Sequence, residues 1–157
     1  MKKMVLGMMM VAAVLTTGCV RAESESGEQL VAYAKLWLTD YDQALKVAAE
    51  KQRPVLVDFT GSDWCGWCIR LDKEVFSQEG FKSYARENLV LLKLDFPRRI
   101  KLPKEEADRN QALADKFGVQ GFPTIVLLGP DGQEKARTGY RAGGAEAYVE
   151  HLKGLLD

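Results

Sequence analysis

Five consecutive residues, Trp64-Cys65-Gly66-Trp67-Cys68, constrain this chain more than any other stretch. Shortly before them comes a short apolar run, Val55-Leu56-Val57-Asp58-Phe59, which suits a central strand covered on both faces. After them Cys68, Leu71 and Val75 recur at helical spacing, so a helix is predicted from near Cys65 to about Phe76. Two thiols three positions apart at a strand-to-helix junction can close a small disulfide and open it again. The same spacing places Cys65 at the exposed helix start and turns Cys68 inward.

The rest of the cysteine inventory says what that pair is for. The chain of 157 residues has three cysteines and one histidine, too few for a self-contained zinc site, which takes four ligands. They are also too few for a disulfide-dense secreted scaffold. Lys2 and Lys3 precede an apolar run from Met4 to about Leu15, followed by Thr16, Thr17 and Gly18. That order of charge, apolar core and small residues is a secretory signal, and the run is shorter than the ~20 residues of a membrane-spanning helix. Two exits fit residues 1–22. Val20-Arg21-Ala22 suits ordinary signal peptidase and leaves Glu23 first, whereas Leu15 to Cys19 resembles a bacterial lipoprotein signal with Cys19 lipidated. In either case the exported domain keeps Cys65 and Cys68 apart from Cys19, so the pair is expected to work rather than to staple.

Residues 23–36 read as a polar tether passing into a short helix, and residues 37–157 as one domain. Trp37 falls on an edge strand, and Thr39 or Asp40 caps a helix carrying Tyr41, Leu45 and Ala48. A second helical piece spans Gly80 to Glu87, and Leu89 to Leu94 is another buried strand. Phe96 to Lys104, with Arg98, Arg99 and Lys101, reads as a solvated basic connection. Glu105 to Phe117 is a helix and Thr124 to Leu128 a third buried strand. Gly129-Pro130-Asp131-Gly132 has the residues of a type I turn. Gln133 to Tyr140 follows as an antiparallel edge strand, and Ala145 to Leu156 as a closing helix on which His151 is boundary packing. This order predicts an α/β fold, a three-layer α/β/α sandwich around a central mixed sheet. A formal charge of zero and 46% hydrophobic residues carry no nucleic-acid footprint.

The thiolate is the attacking form, and a cysteine at a helix start has its pKa lowered by free N–H groups and the helix dipole, typically from about 8.5 to roughly 3.5–7.5. Cys65 is therefore the candidate nucleophile and Cys68 the resolving thiol. Asp58 is the second informative residue. Burying its charge inside an apolar strand costs several kcal/mol, roughly, which raises its pKa and suits it to pass protons near neutral pH. The strand places it beneath the helix that begins at Cys65.

The Val-Asp-Phe strand, Trp-Cys-Gly-Trp-Cys and Gly121-Phe122-Pro123-Thr124 together resemble the thioredoxin superfamily, over about Trp37 to Leu156. The longer motif is similar to bacterial exported thioredoxin-like proteins and to the C-terminal domain of the disulfide reductase DsbD. The resemblance implies a cis Pro123 beside the cysteines and a Phe122 backbone that pairs with an extended substrate segment. It implies that Asp58 is the family's buried acid and that Lys93 pairs with it. Trp64, Gly66 and Trp67 then frame the substrate, and Trp67 stands where thioredoxin has proline, a position that tunes redox potential. The loop from Asp58 to Cys65 is one residue longer than in thioredoxin itself. The implied function is a thiol-disulfide oxidoreductase needing no cofactor beyond its own disulfide. Gly66-Trp67 lacks the histidine of strong oxidants, so the expected direction is reduction, nearer thioredoxin at about −270 mV than DsbA at about −120 mV. Expected partners are protein disulfide substrates in the periplasm and a separate membrane electron donor, with the chain itself a monomer. The rivals are a docking module that presents Trp64, Trp67 and Phe122, and a dithiol metal carrier, although no histidine or methionine lies near the motif.

Overall fold

The computed structural model describes residues 36–157. The expected signal segment, Cys19 and the tether up to residue 35 lie outside the described residues. In chain order the elements are β1 (Trp37–Leu38), α1 (Tyr41–Lys51), β2 (Val55–Thr60) and α2 (Gly66–Leu71). A π-helical stretch, Asp72–Phe76, continues α2. Then come α3 (Glu79–Asn88), β3 (Val90–Asp95), α4 (Lys104–Lys116), β4 (Thr124–Leu128), β5 (Glu134–Thr138) and α5 (Gly144–Leu156).

The strands form one mixed sheet in the order β1-β3-β2-β4-β5. Central β2 runs parallel to β3 and antiparallel to β4, and all six of its residues are buried. Strand side chains alternate between faces, and the apolar clusters divide accordingly. Leu56, Leu91, Ile125 and Leu127 pack with Leu71, Phe76, Phe81 and Tyr148 from α2, its π stretch, α3 and α5. On the other face Val57, Phe59, Leu92 and Val126 pack with Ala44 and Ala48 of α1 and Ala114 of α4. The expected three-layer sandwich is the fold observed.

Local chemistry sets several boundaries. Asp40 caps α1, its Oδ1 accepting the Gln43 N–H at 2.8 Å, and loss of such a cap costs about 1 kcal/mol. The predicted turn forms, with the Gly132 N–H donating to the Gly129 carbonyl at 2.9 Å. Two helices seat small residues deepest, the expected Ala48 among them. In α1 the fully buried pair is Ala44 and Ala48, with Tyr41 and Leu45 half-covered. In α4 it is Asn110 and Ala114, with Leu113 and Phe117 half-covered. Small side chains let each helix lie close to the sheet, and larger ones fill the flanks. Asn110 is tolerated there because its Nδ2 donates to the Asp95 carbonyl at 3.0 Å, at the end of β3.

Because β2 alternates, Asp58 faces the same side as Leu56, under α2, while Val57 and Phe59 face α1 and α4. The fold thereby sets one carboxyl beneath the helix that begins at the cysteines.

Candidate active site

Cys65 is the N-cap of α2, and Cys65 and Cys68 are joined as a disulfide with their Cα atoms 5.2 Å apart. The Cys68 N–H donates to Cys65 Sγ at 3.3 Å. That bond uses one of the unpaired donors of the first helical turn and favours negative charge on Cys65 Sγ once the disulfide opens. The expected contrast in exposure is corrected, because Cys65 is 7% exposed and Cys68 4%. Cys65 is covered because the Phe122 carbonyl oxygen lies 3.6 Å from its sulfur, on the far side from the helix. What separates the two sulfurs is therefore hydrogen bonding rather than depth.

Asp58 lies below them. It is 3% exposed, and its Oδ1 has no hydrogen-bond partner. Burial pushes its carboxyl up to about 7; the Lys93 cation pulls it down, while the Asp72 and Asp95 carboxylates push it up again. Lys93 sits opposite Asp58 in the β2–β3 register. The family resemblance pairs Lys93 with Asp58, but an ion pair also runs from Lys93 Nζ to Asp72 Oδ1 at 3.6 Å. Ser77 Oγ donates to the other oxygen of Asp72 at 3.0 Å. Asp72 is thus part of the carboxyl environment, a residue that its place on an amphipathic helix did not mark.

One flank of the disulfide is built from two loops locked together. The Asp63 carboxylate accepts the backbone N–H groups of Arg98, Arg99 and Ile100 at 2.9, 2.7 and 3.1 Å. These bonds hold its pKa below the usual carboxylate range. Asp95 accepts both the backbone N–H and the hydroxyl of Ser62 at 2.9 and 2.6 Å. Trp64 Nε1 donates to the Phe96 carbonyl at 2.7 Å, and the Arg98 guanidinium lies 3.6 Å from the Trp64 ring centroid. Trp64 also meets Phe122 edge-on, with centroids 5.9 Å apart, and Phe96 packs on Phe122 at 5.0 Å. The 96–104 segment is therefore no loose solvated connection at its start. Sequence patterning missed this because a side chain that binds backbone N–H groups leaves no periodicity.

The Phe122–Pro123 peptide bond is cis. Behind it Gly139 is needed for close approach, since a Cβ there would stand 3.2 Å from the Pro123 carbonyl oxygen. A Cβ on Gly66, by contrast, would meet nothing within 4 Å, so the surface above the disulfide is open. Trp67 is 56% exposed and lies beside Tyr140 at 5.1 Å. Arg70 spans both rings and pairs with Glu74 at 2.7 Å, and Glu74 also accepts the Tyr140 hydroxyl at 2.7 Å. His151 stays on the far helix, bonded to Thr138 at 2.9 Å. Cys65, Cys68, Asp58, Lys93, Trp64, Gly66, Trp67, Phe122 and Pro123 thus cluster at one end of the sheet, around β2, β3 and the start of β4.

A thioredoxin-like family model matches residues 36–130. The disulfide bond reductase DsbH of Chlamydia pneumoniae is 35% identical over 143 residues, spanning 88% of this chain and 86% of that protein. A solved DsbH oxidoreductase superposes with a TM-score of 0.73 at 36% identity, covering 76% of this chain and 83% of that one. The reduced C-terminal domain of Neisseria meningitidis DsbD superposes at 0.54 over 72% of this chain and 91% of that chain; at 21% identity it shares the fold. Sequence, fold and the placing of the cysteine pair agree, and this chain belongs to the thioredoxin-like family.

Proposed function

We propose that this protein is a thiol-disulfide oxidoreductase that reduces disulfides in other proteins through Cys65 and Cys68. The observation that carries this reading is a disulfide at a helix start above a buried carboxyl whose pKa is about 7. With the pair reduced, the Cys65 thiolate attacks one sulfur of a substrate disulfide. A mixed disulfide forms, and the other substrate sulfur leaves as a thiolate that takes a proton from water. Asp58 then accepts the Cys68 proton, and the Cys68 thiolate attacks Cys65 Sγ. The second substrate thiolate departs, the substrate has gained two electrons, and the Cys65–Cys68 disulfide is restored. Asp58 is suited to this step because its acidity near neutral pH lets it both take and release a proton.

The same scheme gives Phe122 and Pro123 the task of aligning an extended substrate backbone, with Trp64, Gly66 and Trp67 around the reacting sulfurs. The reducing direction is supported by the similarity to the disulfide bond reductase DsbH and by the absence of a histidine at Gly66-Trp67. Work in the cell envelope follows from the signal-like start, with Cys19 as the candidate lipid attachment point. In that compartment a membrane protein must resupply electrons, and the chain acts as a monomer without metal or organic cofactor.

Insulin reduction coupled to a dithiol tests the activity. Wild type is expected to precipitate insulin chains and Cys65→Ser to be inactive; a Cys65→Ser protein as active as wild type would refute the reading. Cys68→Ala should accumulate substrates and donor as mixed disulfides on Cys65 in cells.

A further inference from the structure

The fixed flank of the site carries information about the substrate, a conclusion that rests on the exchange function proposed above. Asp63, Asp95 and Trp64 fasten the 96–101 loop to the loop that leads into Cys65. The carboxylates of this wall keep their charge but are held by hydrogen bonds, and of the basic side chains only Arg99 lowers the Asp63 pKa through its charge. Asp63 is spent on backbone N–H groups and Asp95 on Ser62. Among the described residues, Arg98, Arg99 and Lys101 take part in no ion pair. Arg98 is stacked on the ring of the residue immediately before Cys65, a geometry that holds its charge in place and leaves its edge donors open.

The surface beside these cations is a groove in two parts. One part, about 440 Å³, is lined by Trp64, Phe96, Val119 and Phe122 and contains no charged side chain. The second, about 410 Å³, shares Phe96 and Gln111 with the first and is bordered by Arg98 and Lys101 and by one carboxylate, Asp95, which is bonded to Ser62. A slot walled by Trp64, Phe96 and Phe122, without charge, therefore continues into one where two cations stand against a single carboxylate.

We propose that this wall selects protein disulfides whose cysteine is accompanied by an aromatic or aliphatic residue and, adjoining it, an acidic one. The apolar side chain enters the slot between Trp64, Phe96 and Phe122, and the carboxylate lies against Arg98 and Lys101. Exposed charge contacts are individually weak and salt-sensitive. Together, two of them give about a tenfold preference for an acidic over a basic neighbour at low salt, mostly lost at about 0.5 M.

The test uses three cystine-bridged peptides that share one aromatic residue and differ only in a neighbouring Glu, Gln or Lys. The rate at which reduced protein releases peptide thiol is measured for each. Wild type is expected to rank them Glu, Gln, Lys with the stated spread, and Arg98→Glu/Lys101→Glu to reverse the order. A purely structural defect in the variant would slow all three alike and keep the order, which overturns the proposal. Equal wild-type rates for the three peptides also overturn it while leaving disulfide exchange standing. Absence of exchange with all three overturns both readings.

Discussion

Asp58 and Asp63 stand five residues apart on either side of the strand end that delivers Cys65, and their surroundings drive them in opposite directions. Asp58 is buried with one oxygen unbonded, and its pKa rises to about 7. Asp63 lies at the surface, bonded to three backbone N–H groups, and its pKa falls. The first is costly to the fold and available for proton transfer. The second stabilises the fold and is held charged throughout. Identical side chains thus become a proton carrier and a clamp, and only the supply of donors and water separates them.

The largest expected effect is catalytic. Asp58→Asn should slow release of the mixed disulfide at pH 7 on the order of a hundredfold, the low end of what a positioned base contributes. Its loss should be partly recovered as pH rises and Cys68 ionises unaided. Asp63→Asn should leave the pH midpoint of that step where it is. Equal shifts in both variants, followed by stopped-flow tryptophan fluorescence, would break the contrast.

Stability against pH gives the next effect, with opposite signs. Folding raises the Asp58 pKa from 3.8 to about 7, so the native state binds the extra proton between these values. Stability is therefore lost as pH rises through that window. Asp58→Asn should stabilise the protein at pH 8 by at most about 4 kcal/mol, with the gain fading towards pH 4. Asp63 has a lowered pKa, so its contribution is present above the unfolded value and is lost as pH falls through the folded one. Asp63→Asn should accordingly destabilise at neutral pH and converge on wild type in acid. Urea unfolding at pH 3.5, 5 and 8 distinguishes the two patterns.

A smaller effect reads the clamp directly. Releasing the loop in Asp63→Asn should speed tryptic cleavage at Arg98, Arg99 or Lys101 severalfold, because local opening exposes the backbone. Smallest of all, Tyr140→Phe removes one hydrogen bond on the opposite, Trp67 flank. It should change the exchange rate by less than about twofold, as expected of one partly buried contact away from the reacting sulfurs. A larger change would make that flank as fixed as the Trp64 side.

The half of this contrast that could be read from sequence is the Asp58 half. A carboxylate inside Val55–Phe59 breaks an apolar pattern, and such a break has few physical meanings. The cysteine pair and the Gly-Phe-Pro-Thr turn were legible for similar reasons, since spacing and residue type restrict backbone geometry. Asp63 left no such trace, because its partners are N–H groups some 35 residues away that any sequence would supply. Asp72 looked like an ordinary polar position until β3 brought Lys93 to it. The depth of Cys65 was misjudged because its cover, the Phe122 carbonyl, arrives from the distant turn that leads into β4. Patterns within one element survive in sequence, whereas contacts between loops depend on where the fold returns the chain.

The π-helical stretch Asp72–Phe76 has a consequence for chain length. A wide turn takes up one residue more than an α-helical turn without displacing the helix on either side. At its front end this helix is fixed by the disulfide, and at its rear Phe76 is wedged among Trp37, Phe81 and Tyr148. The surplus residue is stored between these two anchors. A relative with an unbroken helix here would keep both anchors and lack one residue. The correct alignment gap then falls inside 72–76, where hydrophobic pattern alone would give no reason to place it.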